Sequence, residues 1–573
     1  MLHKLPLFVC GLALVAVAFA GCSSNDDDDD STSANVSSPQ ATVLLGLVGR
    51  YNSGLFDADG GGAEITAFDP GSQRAFVTNA IQQQIDVLDL SDPANPSLIL
   101  SIDVSPYGGG STPSGAPNSV AVGGGILAIA VEQGGATDAK QQPGQVVFFN
   151  ANDATFATPL NTVTVGALPD MVTFNPDNTK VLVANEGEPN DAYTVDPEGS
   201  ISIIDLSAGV ASATVTTATF TSFNAQKAAL IAAGVRIFGP ESTIDEPDDI
   251  ATVAQDLEPE YITCNNTTAW VTLQEANAIA IVDIASSTVT SIVPLGYKDH
   301  SLAVNQFDPS DRDGPMGSKV IKFVTGPVRG LYMPDTIASY SVGGQTYLVT
   351  ANEGDSRDYG GFSEEERVKD LTLDATAYPN AAAVQADGWL GRLKCTTATG
   401  DTDNDGDIDQ IYCYGARSFS IWSSAGQLVW DSGDQLEQIV AATLPNNFNA
   451  NNDSNGLDGR SDDKGPEPEA VAVAEIDGRW YAFIGLERVS GIVVYDITSP
   501  SAPVFQQYIN TRDFNVTPAS NGAGNPVDGL DIGPEGMRYV SAADSPTGEP
   551  LLIVGNEVSG STTIFKVTKA LGN

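Results

Sequence analysis

Seven copies of one strand trio govern what this chain can fold into. Each copy opens on a short pair that leads into an alternating apolar strand: Ala63-Glu64 before ITAF, Pro117-Asn118 before SVAV, Pro169-Asp170 before MVTF and Pro259-Glu260 before YITC; then Pro334-Asp335 before TIASY, Pro468-Glu469 before AVAVA and Pro534-Glu535 before GMRY. A second strand follows and ends on its own polar residue, at Asn79, Glu132, Glu186, Glu275, Glu353, Glu487 and Glu557 in turn. Third strands such as IDVLDL, ISIIDL, AIAIVDI and IVVYDI come next, with SFSIW reached in the fifth copy after a long insertion. A repeat of this kind cannot bury its faces alone, so the copies must pack on one another. The spacing predicts an all-β chain, a seven-bladed β-propeller with the first strand of each blade on the axis. The last copy lacks a fourth strand, and TVLLGLV from Thr42 is placed to supply it and close the ring.

This arrangement decides where the acids go. In an antiparallel pair the start of the first strand lies beside the end of the second. Six acids from each series, twelve in all, therefore fall on one mouth of the propeller. Neighbouring carboxylates about 6 Å apart repel by roughly 3 kcal/mol at an effective dielectric near 20. Such a ring needs cations, raised pKa values or basic partners. Arg50, Lys298, His300, Arg460, Lys464 and Arg512 lie in segments entering first strands, and Arg357 follows the second strand of the fifth blade. They read either as groups that bind an anionic substrate or as ion pairs that hold strand ends.

The chain carries 26 Lys+Arg against 73 Asp+Glu, a formal charge of -47, which excludes nucleic acid and anionic membrane surfaces as partners and favours divalent cations. The N-terminus reads as an export signal over residues 1–21, ending in Phe-Ala-Gly-Cys, a lipobox-like stretch that would lipidate Cys22. Residues 22–41, with Asp26 to Asp30, form an acidic tether, and the propeller occupies 42–573. The chain is thus expected to be exported and held in the cell envelope, at the outer membrane or cell surface, touching the membrane only through its lipid.

Other stretches carry their own chemistry. DTDNDGDID places Asp401, Asp403, Asp405, Asp407 and Asp409 at alternate positions around Gly406, as in a calcium loop. The twelfth position is Tyr412 where a bidentate Glu is expected, so a further acid has to come from elsewhere. Asn-Glu-Gly-Glu (Glu186, Glu188) and Asn-Glu-Gly-Asp (Glu353, Asp355) each add a carboxylate beyond a glycine turn and join Glu260, Glu469, Glu487, Glu535 and Glu557 as metal-ligand candidates. Lys298 and His300 are catalytic candidates, with the lone His300 of Lys298-Asp299-His300 reading as a general acid or base or as a residue that orients a loop. Cys395 and Cys413 flank one short loop and are expected to form a disulfide, leaving Cys264 as a buried free thiol. Insertions are placed at about 219–256, with a helix-like run from Asn224 to Ala233, and at about 363–413, with a helical pattern from Ser363 to Leu371.

DLEPEYIT, VTLQEANAIAIVDI, LGYKDHS, TANEGDSRDY, GARSFSIW, RSDDKGPEPEAVAV, YAFIGLERVSGI and LLIVGNEVSGSTT together resemble the choice-of-anchor I family, over nearly everything from Thr42 onward. The resemblance implies an exported or surface-anchored propeller, associated with calcium or mineral in animal members and labelled alkaline phosphatase in bacterial ones. Two functions fit these residues. In the first, the carboxylates hold calcium, or a second or transition metal such as iron or manganese, for hydrolysis of a phosphoester clamped by Arg357, Arg460 and Lys464. In the second, the acidic face captures calcium, a mineral surface or a partner without chemistry. The direction in which the basic groups point separates them.

Overall fold

The computed structural model describes residues 41–58, 60–109, 114–135, 137–240, 251–518 and 531–571. The export signal, Cys22 and the tether up to residue 40 lie outside the described residues. Seven four-stranded sheets make up the body. Their first strands are Thr66–Asp69, Pro117–Gly123, Pro169–Phe174, Pro259–Cys264, Ile337–Val342, Pro468–Ile476 and Pro534–Val540, which define blades 1 to 7. Each first strand neighbours the next, and that of blade 7 neighbours that of blade 1, so the ring closes. The strand Ala41–Asn52 lies outside Ser561–Leu571 as the fourth strand of blade 7, as the sequence predicts.

The near-continuous apolar strands follow from the radial stacking of blades. In Lys180–Asn185 of blade 3, Val181 and Val183 pack toward Ala128, Ala130, Val146 and Phe148 of blade 2. Leu182 and Ala184, pointing the opposite way, pack toward Val271, Leu273, Ala278 and Ala280 of blade 4. A blade buried on both faces needs apolar residues at both parities. Each fully buried Val or Leu contributes about 1.5–3 kcal/mol relative to exposure. The fourth strands face solvent and read accordingly, as in Thr214–Thr219.

Two expectations for the insertions divide. The first forms the helix Lys227–Ala233 behind a 3-10 turn, Thr221–Gln226, and stops at Gly234, whose φ of 104° returns its N–H to Ile231 and Leu230. The helical pattern from Ser363 to Leu371 is not realised: Glu365–Arg367 is a strand paired with Lys394–Thr396, followed by a 3-10 turn, Val368–Asp370. Tertiary contacts override the local pattern there, because the fully buried Glu364 pairs with Arg236 of the first insertion and accepts the Arg357 N–H.

The cysteine pairing is also corrected. Cys395 and Cys413 are free thiols, both buried in one apolar cluster. Cys395 is held opposite Glu366, with its thiol on the Glu366 carbonyl at 3.2 Å, and Cys413 lies in a different ladder, parallel to Gly330. Cys264 is a partly buried free thiol.

Candidate functional site

The backbone explains how the first acidic series reaches the axis. In blades 2, 3, 4, 6 and 7 the strand register breaks immediately after the opening proline. Proline has no N–H to give a ladder and suits a strand start, and the bulge behind it re-aims the next side chain. Asp170, Glu260, Glu469 and Glu535 occupy those bulges, with Asn118 in blade 2.

Two carboxylate trios assemble from these acids and the second series. Glu64, Glu535 and Glu557 meet at the seam between blades 7 and 1, and Glu353, Glu469 and Glu487 between blades 5 and 6; within each trio, one oxygen from each residue lies within 4.8 Å of the others. Close approach at the first seam depends on Gly60 (φ 95°), where a Cβ would stand 2.0 Å from Glu557 Oε2. Glu487 is 3% exposed; its Oε1 accepts from Asn452 at 3.2 Å and pairs with Arg488 at 3.0 Å, but its Oε2 has no hydrogen-bond donor. Oε2 of Glu469 and of Glu535 are likewise buried and without a donor. Glu353, Asp355, Glu469, Glu487, Glu557 and Arg488 line an axial cavity of about 340 Å³.

Crowding and burial hold protons on these groups. Burial pushes Glu64 up to about 8, with Asp170 adding to the rise. Burial likewise lifts Asp170 and Glu275 to about 7, and Glu487 to about 7 against the pull of Arg488. Glu469 lies well above the usual range through burial and then the charges of Glu487 and Glu353; Glu535 does so through burial and then Glu557 and Glu64, and Glu557 through burial and then Glu487 and Glu64. Glu186 and Glu260 are raised in the same way, by burial and then by Glu188 and Glu186 respectively.

The basic residues are spent on carboxylates and carbonyls. Lys464 donates to Glu353 at 2.6 Å and sits 3.3 Å from Asp355 and 3.4 Å from Glu467. Lys464 thus bridges Glu353 and Asp355 across the glycine turn. Arg460 pairs with Glu467 at 2.6 Å and Asp463 at 3.0 Å. Glu467 is fully buried, and although burial acts against its charge, Arg460, Lys464 and Arg488 hold it well below the usual range. Arg357 is 1% exposed, bonded to Asp256 at 2.8 Å and Glu258 at 3.0 Å, with its guanidinium 4.7 Å above the Phe238 ring. Arg50 pairs with Asp531, and Arg512 donates to the carbonyls of Arg488 and Asn451.

Lys298 and His300 are not brought to the trios. Lys298 bonds Asp431 at 3.0 Å and the carbonyls of Ala416 and Gly433. His300 is buried against Phe307, with Nδ1 on the Asn305 carbonyl at 2.8 Å; burial, reinforced by Lys298, pushes it down to about 3. Its ring is neutral and packs a loop.

Glu188 leaves the axis as well. It accepts from the Tyr359 hydroxyl at 3.3 Å and lines a side cavity of about 640 Å³ with Glu132, Lys140, Gln141 and Asp191. In the insertion loop, Asp401 accepts N–H bonds from Asn404, Asp405 and Gly406. Asp401, Asp403 and Asp409 form one trio of oxygens within 4.8 Å, and Asp374, Asp407 and Asp409 another. Asp405 is in neither; it accepts the Asp407 N–H at 3.2 Å. Sequence reasoning did not find Asp374, which the bridge between Leu373 and Ile408 brings alongside. It also passed over Glu467 and Arg488, although each adjoins an acid of the repeat, Glu467 two residues before Glu469 and Arg488 directly after Glu487.

The model of the choice-of-anchor I domain matches residues 64–500. The chain belongs to the choice-of-anchor I family. The match runs from the first acid of blade 1 into blade 6 and so includes the second trio whole. Among curated relatives, this choice-of-anchor I chain is 32% identical to Gigasin-3a of Magallana gigas over 201 residues, which covers 32% of this chain and 67% of that protein. It is 27% identical to the mesenchyme-specific cell surface glycoprotein of Strongylocentrotus purpuratus over 361 residues, 56% of this chain and 44% of the other. Among solved structures, the WD40 domain of Toxoplasma gondii coronin aligns over 94% of the chain and 88% of its own at 8% identity and a TM-score of 0.42. The β-propeller domain of Cps50 (Swd1) from Myceliophteria thermophila aligns over 92% and 100% at 9% identity and a TM-score of 0.39.

Proposed function

We propose that this choice-of-anchor I chain is an exported, surface-held propeller whose acidic mouth binds divalent cations, calcium first, without chemistry on a substrate. The observation that carries the reading is the trio of Glu353, Glu469 and Glu487, in which two buried oxygens have no donor and all three residues offer an oxygen within 4.8 Å. Oxygens around one calcium ion, each at about 2.4 Å, span at most about 4.8 Å. The donor set is carboxylate alone, which suits a hard cation and leaves no soft ligand for zinc or copper. The trio of Glu64, Glu535 and Glu557 offers a second site of the same chemistry, and the Asp401–Asp409 loop with Asp374 a third. The name of the sea urchin relative supports a cell-surface location, and the lipobox at Cys22 supplies an anchor.

The basic groups support the non-catalytic form. Lys464, Arg460 and Arg357 are saturated by carboxylates, so they neutralise and space the acids. A second reading, metal-assisted phosphoester hydrolysis, is favoured by one residue. Arg488 faces the axial cavity beside the trio with a quarter of its side chain exposed, where it can meet an anion bound to the cation. The test is calcium titration of the chelator-treated protein together with phosphomonoester turnover under calcium, manganese or iron. Uptake that falls in Glu469→Gln and Glu487→Gln, with no turnover, is the expected outcome; metal-dependent turnover lost in Arg488→Ala would establish the second reading.

A further inference from the structure

The acids of the mouth occupy equivalent places in successive blades, and one of those places holds an amide. In blades 2, 3, 6 and 7 the residue paired with the opening proline is Val131, Asn185, Leu486 or Asn556, and the next residue along is Glu132, Glu186, Glu487 or Glu557. In blade 5 Asn352 pairs with Ser418 as Asn185 pairs with Ser200 in blade 3, and Glu353 follows it. In blade 4 the residue paired with Pro259 is Leu273, so the place falls to Gln274. The sequence marks Glu275 as the acid of this blade. The register sets Glu275 one residue beyond the series, and neither axial trio includes it.

Gln274 acts across the seam between blades 4 and 5. It is buried, and its Nε2 donates to Oε2 of Glu353, a member of the second trio, at 2.8 Å. Lys464 donates to the other oxygen, Oε1, at 2.6 Å. A carboxylate only accepts, so the amide nitrogen is the end of Gln274 that must face it. Each carboxylate oxygen carries two lone pairs, and one donor on each leaves the second lone pair for a cation. Glu353 is thereby fixed from both sides, whereas Oε2 of Glu469 and Oε2 of Glu487 have no donor. A glutamate at 274 would set a further carboxylate against Glu353, beside Glu469 and Glu487, whose oxygens already lie within 4.8 Å of it.

We propose that Gln274 positions Glu353 and sets the charge selectivity of the mouth site. The inference rests on the reading of the trio of Glu353, Glu469 and Glu487 as a cation site. Partners that orient a ligating carboxylate are worth about 10- to 100-fold in metal affinity, and the number of charged ligands and the rigidity of the site tune calcium binding. The amide supplies the orientation without adding a charge. An added carboxylate would favour a trivalent ion over calcium, because its attraction scales with the charge of the ion.

The test is calorimetric titration of the chelator-treated full-length protein with calcium and, separately, with terbium. Wild type is compared with Gln274→Met, Gln274→Glu and the paired variant Glu469→Gln, Glu487→Gln, and the binding event that the pair lacks marks the trio. At that event Gln274→Met, which keeps the length and removes the donor, is expected to bind calcium about tenfold more weakly with the count unchanged. Gln274→Glu is expected to raise the ratio of terbium to calcium affinity roughly tenfold. A side chain that only stabilises the fold would lower the melting temperature and leave that ratio unmoved. Wild-type affinity in Gln274→Met with a wild-type ratio in Gln274→Glu would overturn the inference and leave the trio a cation site. A paired variant that titrates as wild type would overturn the reading of the trio, and this inference with it. Should Gln274→Met fail to fold, the ratio in Gln274→Glu decides.

Discussion

Replacing Arg357 separates its structural role from a catalytic one. The guanidinium lies between the two insertions and the propeller body, donating to Asp256 Oδ1 at 2.8 Å and the Asp256 carbonyl at 2.9 Å and standing 3.0 Å from Glu258. Asp256 and Glu258 are 1% and 2% exposed, so removing the guanidinium leaves two buried carboxylates facing each other. Breaking a buried pair in this way costs about 3–5 kcal/mol, a shift of roughly 10²- to 10⁴-fold in the unfolding equilibrium at about 1.4 kcal/mol per tenfold. Loss of the stack on Phe238 acts in the same direction. Urea unfolding of Arg357→Met, followed by far-ultraviolet circular dichroism, is expected to show a lower midpoint. Adding Asp256→Asn and Glu258→Gln to Arg357→Met is expected to recover much of the loss, because the stranded charges are then gone. An Arg357→Met protein with an unchanged midpoint would refute the reasoning, and one that also lost calcium uptake or turnover would place Arg357 at the functional site.

Further outcomes follow from the same geometry. Glu64, at about 8, and Asp170, Glu275 and Glu487, at about 7, keep protons in the folded metal-free chain that the unfolded chain has lost by about pH 4.5. Their stabilisation is full below the unfolded value and is lost as pH rises through the folded ones. His300, pushed down to about 3, acts in the opposite sense only below about pH 6.5, so stability in chelator is expected to fall between about pH 6.5 and 8. A flat or rising urea midpoint over that window would contradict this. Calcium binding is expected to release protons near pH 7, seen as a calorimetric heat that varies with buffer ionisation enthalpy. Asp374→Asn is expected to weaken calcium binding at the insertion loop about tenfold, as a terbium titration would show, since it removes the one acid brought from outside the loop. Alkylation of the unfolded protein without reductant is expected to label both Cys395 and Cys413, read by mass spectrometry.

The ring was legible because the unit recurs. A single Pro-Glu before a strand is ambiguous, but the same pair at Pro169-Asp170, Pro259-Glu260, Pro468-Glu469 and Pro534-Glu535 fixes both the blade boundary and the face on which the acids gather. The closing strand from Thr42 was legible for the same reason, as the one piece the repeat lacked. Long-range pairing was not legible. Arg357 and Asp256 are 101 residues apart and meet where the segment after the second strand of blade 5 docks on the end of the first insertion. Glu364 sits in a run with helical periodicity yet is drawn into a strand by Arg236, a contact that local pattern does not encode. The pairing of Cys395 with Cys413 rested on a short loop between them, whereas their separate ladders leave both as buried thiols. Asp308 and Asp458 lie in loops rich in Asn, Asp and Gly, which read as exposed turns, yet both are fully buried.

The most direct test of the acidic mouth as a cation site is calcium calorimetry on the chelator-treated protein, comparing wild type with the paired variant Glu469→Gln, Glu487→Gln. The mouth account expects saturable uptake in wild type and the loss of one binding event in the variant, with the fold retained. Equal stoichiometry and affinity in the two proteins would contradict it and leave the carboxylates of the axis as a protonated, purely structural ring.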